Sequence, residues 1–319
     1  MGINGLNLFL KNQFPEISNT VDLSQLQYKT VGIDTSIYLY KYKYNNNNFL
    51  ELFLKQIFRL KMNNITPIYI FDGKPPVEKN SIIQLRKKKR ETQFLAIKRL
   101  EEDLENCKSL FETIVINTKI EHIRKKIVKI KNDDISKLKE LLNLCGVSYI
   151  QSETESDLLF NSLSRYKYID MVLSEDNDII VNSNTKLIKF FNVYSNKIII
   201  YDRTLIIKYL GLTSLQWIHF CILMGCDYFK KIPYPSESIY RLIKKTEINY
   251  LLNNKLRLEP AQKKSFLRAE ELFLSIPEIV NEFHMNNSHD SVALIQFINK
   301  NTNLSPNTID NMLKVIICP

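Results

Sequence analysis

Four short apolar runs constrain the fold of this chain more than any other feature of its sequence. They are rich in branched and aromatic residues, and segments long enough for helices separate them. The runs are TVGID (30–34), ITPIYIFD (65–72), VSYIQ (147–151) and MVLSEDND (171–178). Strands that alternate with helices produce this rhythm, so the sequence predicts an α/β fold with a doubly wound, mostly parallel sheet.

Carboxylates recur where these runs stop and in the polar segments that follow. The set is Asp34, Asp72, Glu153, Glu155, Asp176, Asp178 and Asp227. Ligands of a doubly wound sheet bind outside the carboxyl ends of its strands, so acids that are distant in sequence can share one site. Carboxylate oxygens suit Mg²⁺ and Mn²⁺, and two such ions about 3.5 to 4 Å apart can act on one phosphodiester. A helix cap or a turn remains the alternative for any single acid. Asp157 is a further candidate for this set, and a capping role is the favoured interpretation for it.

The chain is basic, with a formal net charge of +10 and a pI near 9.1. Residues 79–131 hold 15 Lys and Arg against 7 Asp and Glu, an excess of 8 positive charges, in a helix-prone segment. Inserted between two strands that each carry an acid, this segment is predicted to lie over the site. A solvated helical face is the alternative. Charge alone favours a polyanionic partner, which nucleic acid or an anionic membrane surface would provide.

Other patterns restrict the class of protein. No apolar stretch approaches the roughly 18 residues of a membrane-spanning helix, and the first residues lack a signal-peptide layout, so we expect a soluble intracellular protein. The five cysteines contain no CxxC pair, which argues against a zinc site or a disulfide framework. Residues 187–202 predict a β-hairpin, and residues 215–228 predict a buried helix that ends in a turn at Gly225.

Six motifs between Met1 and about Ile243 occur in the order of a known family. Together they resemble the XPG-like structure-specific 5′ nucleases, and within them the flap endonucleases. The motifs are MGINGL, VGIDTSIYLY, IYIFDGKPP, SETES, SEDNDII and LMGCDY. The resemblance implies a PIN-like or resolvase-like fold. It divides the chain into a nuclease domain at 1–243, with a helical arch at about 79–131, and a helical C-terminal region at 244–319 packed on the same core.

The same resemblance implies roles for individual residues. All seven acids fall on the family's ligands for two metal ions, which we expect to be Mg²⁺ with Mn²⁺ as a substitute. Lys79 and Arg86 match cations at the base of the arch that contact the scissile phosphate, and Lys87, Lys88, Lys89 and Arg90 continue this basic surface. Gly2 and the amino terminus match a segment near the DNA backbone. Tyr40 matches an aromatic that stacks on a terminal base, although it alternates with Tyr38, Tyr42 and Tyr44 and packing is the alternative.

The implied function is a flap endonuclease and 5′ to 3′ exonuclease that cuts branched or flapped DNA during replication, recombination or repair. A monomer in the nucleus or in a viral replication compartment is expected. Three alternatives stay open: a catalytically silent DNA-binding scaffold, a junction-resolving endonuclease, and a hydrolase of small phosphate esters.

The second half of the chain departs from the family pattern. The chain has no glycine after Gly225, although the family's helix, two-turn, helix element uses a Gly-x-Gly loop to bind a monovalent cation and duplex DNA. A QxxLxxFF sliding-clamp motif is also not evident. In these respects the chain is more similar to the flap-endonuclease-like proteins of large DNA viruses than to the cellular enzymes.

Overall fold

The computed structural model describes residues 2–18, 20–45, 48–107, 109–275, 283–284 and 290–317. The strands are β1 (Thr20–Asp22), β2 (Thr30–Asp34), β3 (Thr66–Phe71), β4 (Tyr149–Gln151), β5 (Met171–Leu173), β6 (Lys186–Lys189), β7 (Lys197–Tyr201) and β8 (Phe283–His284). The helices are α1 (Leu6–Gln13), α2 (Thr35–Asn45), α3 (Phe49–Met62), α4 (Asn80–Glu105), α5 (Leu110–Lys126), α6 (Asn132–Leu144), α7 (Ser156–Arg165), α8 (Ile179–Asn182), α9 (Arg203–Leu210), α10 (Ser214–Met224), α11 (Ser236–Lys245), α12 (Ile248–Tyr250), α13 (Pro260–Leu274), α14 (Ser291–Asn301) and α15 (Pro306–Ile316).

Within the described residues, the strands form one sheet in the order β1-β7-β6-β5-β2-β3-β4-β8. The five central strands, β6 to β4 in this order, are parallel. The edge strands β7, β1 and β8 pair antiparallel. The predicted α/β fold with a doubly wound, mostly parallel sheet is therefore confirmed. The predicted hairpin is also present as the antiparallel pair β6 and β7.

Strands β3 and β5 stop before their acids, whereas β2 ends on Asp34. β5 ends at Leu173, so Asp176 and Asp178 lie in the loop beyond it, whereas the sequence pattern placed both in one run with the strand. A carboxylate inside a sheet that is covered on both faces would face apolar side chains, which is costly without a partner. Asp72, Asp176 and Asp178 therefore lie in the loops at the carboxyl ends of their strands, and Asp34 occupies the last position of β2.

Apolar side chains pack on both faces of the sheet. In β3, Ile68 and Ile70 belong to the hydrophobic cluster that includes α7 and α10, whereas Tyr69 and Phe71 belong to the cluster that includes α3 and α6. Helix α10 is buried over most of its length, and the Trp217 indole donates a hydrogen bond to the Ile180 carbonyl oxygen (3.0 Å). This helix ends at Met224, and Gly225 caps it, which agrees with the turn predicted at Gly225.

The predicted helical arch consists of α4 and α5, which pack against each other. Its apolar interface is narrow: Ile97 and Ile120 are buried, and Arg124 pairs with Glu101 (2.6 Å). Beyond α5 the chain enters α6, where the carboxylate of Asp134 binds the ammonium of Lys43 in α2 (2.5 Å). The arch is thus a long helical pair fixed to the body at both ends.

Residues beyond 243 contribute to the same core. Helix α13 packs on α10, and helices α14 and α15 pack on α3. Both hydrophobic clusters combine residues from the two sides of residue 243, so the predicted domain boundary there stays a prediction. Among the described residues, no individual helix has the length and apolar character to cross a bilayer, and α9 with α10 reach that length only as a pair bent by 92°.

Candidate active site

A depression of about 280 Å³ lies at the carboxyl edge of the central strands, under the base of the arch. Acids from five separate segments of the chain line it, together with two cations and one tyrosine. These residues are Asp34, Asp72, Glu155, Asp157, Asp176 and Asp227, with Lys79, Arg86 and Tyr40. The structure therefore brings together five of the seven predicted metal acids and both predicted arch-base cations.

Asp34 is the last residue of β2, and its carboxylate is almost fully buried. It accepts hydrogen bonds from the Ser174 hydroxyl (2.7 Å) and from the Ile37 backbone N–H (3.2 Å). Ser174 follows β5, the parallel neighbour of β2, and its hydroxyl oxygen in turn accepts from the Asp176 N–H (3.0 Å). Sheet pairing and one serine thus fix two acids relative to each other.

Backbone hydrogen bonds join the loop after β3 to the loop before α7. The Gly73 N–H donates to the Thr154 carbonyl (2.7 Å), and the Lys74 N–H donates to the Glu153 carbonyl (3.0 Å). A side chain at Gly73 would collide with the Glu153 backbone, so this close approach requires glycine. Asp72 adds a third link, because its carboxylate caps α7 by accepting from the Ser156 N–H (2.9 Å).

The loop that carries Asp176 and Asp178 is held from below by a buried lysine. The Lys189 ammonium donates to the Asn177 side-chain oxygen (2.5 Å) and to the Glu175 carbonyl (3.0 Å). Burial lowers the pKa of Lys189 to about 8. The sequence pattern gave no sign of this support, because Lys189 lies in the middle of an apolar run.

Lys79 reaches from the base of the arch into the acids. Its ammonium pairs with Glu155 (2.8 Å) and with Asp227 (3.3 Å), and it lies 5.2 Å from the centre of the Tyr228 ring. Arg86, two turns further along the arch, approaches Asp227 (3.5 Å). Burial by itself would lower the pKa of Lys79, but the neighbouring Tyr228, Asp157 and Glu155 raise it. Lys79 is therefore a permanent cation within this cluster.

Crowding of carboxylates makes their charges unfavourable. The pKa of Asp34 is raised to about 7, mainly by burial and secondly by the charge of Asp72. Burial and the charge of Asp176 also raise the pKa values of Asp157 and Asp178 well above the usual range. Lys79 offsets only part of this repulsion. Additional positive charge would therefore stabilise the ionised cluster.

The donor set suits hard divalent cations, because it consists of carboxylates. One observation points directly to a missing positive partner: Asp178 Oδ1 is buried and has no hydrogen bond among the described residues. As the side chains stand, no three described His, Cys, Asp or Glu residues are arranged to hold one ion. Lys79 lies between two of the acids instead. The ligand role of each acid thus stays a prediction.

The remaining predicted residues occupy different places. Asp178 faces a smaller cavity beside α7. The side chain of Glu153 is exposed and does not line the depression, although its backbone belongs to the loop that does. Gly2 lies against the acidic loop so closely that a side chain would collide with Asp176, while Met1 lies outside the described residues. The four basic residues that follow Arg86 lie in the first half of α4, where Lys87, Lys88 and Lys89 are exposed and Arg90 is half-buried.

The tyrosines of α2 separate into two groups. Tyr38 and Tyr42 are buried against each other in the core, with ring centroids 5.5 Å apart. Tyr40 is 44% exposed and lines the depression, whereas Tyr44 is 41% exposed and does not line it. Packing therefore accounts for Tyr38 and Tyr42, and Tyr40 remains available to a ligand.

The prediction from the sequence favoured a capping role for Asp157 over a place among the metal-binding acids, and so missed its position in the depression. Its position in the first turn of α7 indicated a capping residue, but the described residues offer its carboxylate neither a hydrogen bond nor an ion pair, and it lines the depression. Tyr228 was also missed as a site residue. Its hydroxyl donates to Glu155 (3.1 Å), and its place in the LMGCDY motif, next to Asp227, was the only available signal.

Two family models match this chain. The XPG N-terminal domain matches residues 1–93, and the XPG I-region matches residues 146–227. These two segments contain every acid of the depression. The unmatched segment between them contains most of the arch.

Curated relatives cover most of the chain at modest identity. Flap endonuclease 1 of Lodderomyces elongisporus is 28% identical, over 97% of this chain and 85% of its own length. The probable RAD2-like endonuclease 369L of invertebrate iridescent virus 6 is also 28% identical, over 96% of this chain and 85% of its own length.

Solved structures share the fold. The catalytic core of Rad2 in complex with DNA substrate superposes with a TM-score of 0.70 and 19% identity, covering 99% of this chain and 100% of that one. Human GEN1 in complex with Holliday junction DNA gives a TM-score of 0.68 and 15% identity, covering 99% of this chain and 77% of that one.

The carboxylate cluster predicts a characteristic pH dependence of stability in metal-free protein. In EDTA, we expect the free energy of unfolding to fall as the pH rises from about 4 to about 7. The pKa of Asp34 is raised from 3.8 to about 7, so in this range the folded protein keeps a proton that the unfolded chain has lost. Urea unfolding at a series of pH values measures this slope.

Asp34→Asn is the matching variant, because it keeps the size of the side chain and removes the ionisation. Its stability should fall less than that of the unmutated protein over the same range, so that the two curves separate progressively towards pH 7. If the stability of the two proteins changed with pH in the same way, the pKa of Asp34 would not be raised in the folded protein.

Proposed function

Because this chain belongs to the XPG-like family of structure-specific 5′ nucleases, we propose that it is a magnesium-dependent flap endonuclease and 5′ to 3′ exonuclease. Branched or flapped DNA is the proposed substrate. The observation that carries this proposal is the geometry of the depression, where acids from five segments face Lys79 and Arg86 at the base of a basic arch. A catalytically silent scaffold is less well supported, since all seven predicted acids are present in the chain.

Asp34, Asp72, Glu155, Asp176 and Asp227 are the residues that would hold the ions inside the depression, with Asp178 behind them. Bound Mg²⁺ would neutralise phosphate charge and lower the pKa of water at the site. The chain itself keeps the acids in place through strand ends, the Ser174 hydroxyl and the Lys189 ammonium. This support leaves little freedom to the loop between Ser174 and Asp178.

Lys79 and Arg86 would act on the phosphate. A cation beside the scissile phosphate stabilises the negative charge that grows in the transition state, most strongly where water is excluded. Lys79 is buried and Arg86 is half exposed, so the first is suited to the reacting group and the second to an adjoining phosphate. The exposed basic residues further along α4 would attract the strand from solution and would not select its sequence.

The element expected to bind duplex DNA, α10 and α11, differs from the family pattern in the connection between its two helices. Helices α10 and α11 pack as a pair, but Pro233 and Pro235 occupy the connection and supply no N–H groups. We propose that exposed lysines here, Lys230 and Lys231, contact the duplex backbone through side-chain charge. Binding would then depend on the total salt concentration and little on which monovalent cation is present.

The proposal predicts metal-dependent cleavage of branched DNA. Purified protein is incubated with 5′-flap, nicked, Holliday-junction and single-stranded DNA, and products are resolved by gel electrophoresis. We expect cleavage near the junction of single and double strand in Mg²⁺, none in EDTA, and recovery in Mn²⁺. Asp176→Asn should abolish cleavage, because it removes a charge from the centre of the acids.

Asp133→Asn is the matched control for this experiment. Asp133 is an exposed acid in the first turn of α6, paired with Lys137 away from the depression, so its loss should leave cleavage unchanged. Failure of the unmutated protein to cut any of the four DNAs in Mg²⁺ would refute the proposed function.

Lys79→Met should separate catalysis from binding. We expect kcat to fall by about 10²- to 10³-fold, the usual effect of removing one preorganised group that stabilises transition-state charge. DNA affinity should change little, since many phosphate contacts contribute to it. Lys98→Met on the exposed surface of α4 is the control. Single-turnover kinetics and fluorescence anisotropy measure the two quantities, and equal effects of both variants would contradict a catalytic role.

Tyr40 and Tyr44 offer a matched pair for testing base stacking. Both lie on α2 with nearly equal exposure, but only Tyr40 lines the depression. Tyr40→Ala should weaken binding of DNA with an unpaired 5′ base by about tenfold, since stacking on one aromatic contributes about 1 to 3 kcal/mol. Tyr44→Ala should bind as the unmutated protein does. Equal affinities of the two variants would exclude a stacking role for Tyr40.

A further inference from the structure

We propose that Asp157 is an eighth metal-binding carboxylate, which together with Asp178 holds a divalent cation on the α7 side of the depression. This inference rests on the proposed function, because it assigns a further ligand to the same site. It would extend the site beyond the seven acids of the motif pattern.

The position of Asp157 is unusual for a first-turn acid. Such residues commonly stay in solvent and interact with the free N–H groups of their helix. In α7 that task falls to Asp72, which accepts from the Ser156 N–H (2.9 Å). The Asp157 carboxylate is therefore not needed to begin the helix, and it lines the depression beside Asp34 and Asp176 instead.

Asp157 also borders a second, smaller cavity of about 30 Å³, which is large enough for a single water molecule or ion. Asp178 lines the same cavity, and the polar groups around the two acids belong to Asn161, Ser183, Tyr228 and Ser275. No Lys or Arg is among the described residues that line it. The cavity thus brings two carboxylates together with uncharged polar groups, and four apolar residues complete its lining: Leu158, Ile179, Leu272 and Phe273.

One of these carboxylates has an unused acceptor. Asp178 is 7% exposed, and its Oδ1 atom has no hydrogen-bond donor among the described residues. Buried charges are normally paired or bound to a metal ion. Among the described residues, Lys79 forms its ion pairs with Glu155 and Asp227, and with neither Asp157 nor Asp178. A cation between Asp157 and Asp178 would satisfy both acids.

The test compares Mn²⁺ binding by the full chain and by Asp157→Asn. Isothermal titration calorimetry gives the number of ions and their affinities, and the electron paramagnetic resonance signal of free Mn²⁺ provides an independent count. We expect Asp157→Asn either to lose one ion or to bind it about 10- to 100-fold more weakly. Asp133→Asn, the same change in the first turn of α6, should bind as the unmutated protein does.

Thermal unfolding supplies a readout that does not depend on cleavage. In EDTA, Asp157→Asn should unfold at a higher temperature than the unmutated protein, because it removes one charge from a crowded set of acids. Added Mn²⁺ should raise the melting temperature of Asp157→Asn less than that of the unmutated protein. If Asp157→Asn does not fold, Asp157→Ser tests the same point with a smaller neutral side chain.

The outcomes separate the two proposals. If the unmutated protein binds Mn²⁺ and cleaves DNA, while Asp157→Asn binds the same number of ions with the same affinity, the small cavity holds water only and the role of Asp157 is refuted. If the unmutated protein neither binds Mn²⁺ nor cleaves DNA, the proposed function fails as well.

Discussion

Repulsion among gathered carboxylates is the constraint on which the rest of this structure depends. Acids from separate segments meet at one sheet edge, where burial raises the pKa values of Asp34, Asp157 and Asp178. Left to themselves, such groups would separate or take up protons. The chain opposes this with a rigid sheet, with a hydrogen bond from the Ser174 hydroxyl to Asp34, and with the ammonium of Lys79 placed between two of the acids.

The elements around the site hold the carboxylates together in distinct ways. Apolar layers on both faces fix the strands, and the strands fix the starting points of the acidic loops. Lys189 holds the loop after β5 by donating to the Glu175 carbonyl and to the side-chain amide oxygen of Asn177. The carboxylates of Asp176 and Asp178 therefore form no ion pair with this lysine. The arch adds charge from the opposite side and contributes few buried apolar groups, among them Ile97 and Ile120.

Much of this arrangement could be predicted from the sequence. Short apolar runs predict the central strands. Because the carboxyl ends of parallel strands meet at one edge of the sheet, this topology places Asp34, Asp72 and Asp176 at that edge. Charge and length predicted a basic, helix-prone insertion over the site, and the resemblance to the family implied that it forms an arch. Edge strands β1 and β8 were not predicted, because three and two residues are too few to show a period.

Side-chain directions in loops were the least predictable feature. Glu153 and Glu155 are two residues apart in one motif, yet only Glu155 lines the depression, because loop dihedrals and not a regular period decide where each points. Asp157 matches the sequence pattern of a helix cap, but Asp72 is the residue that caps α7. The alternating tyrosines of α2 looked like one set, but in a helix Tyr38 and Tyr42 lie one turn apart on the buried face, which leaves Tyr40 outside.

The hydrogen bonds of Gly73 and Lys74 have a consequence for how this site tolerates evolutionary change. They join the segment that leads to Lys79 with the segment that carries Glu155 through peptide groups alone, and peptide groups are the same whatever side chains surround them. Substitutions can therefore accumulate in both loops while their spacing persists, provided that Gly73 stays a glycine. Such a link can preserve an active site in chains that share little more than a quarter of their residues.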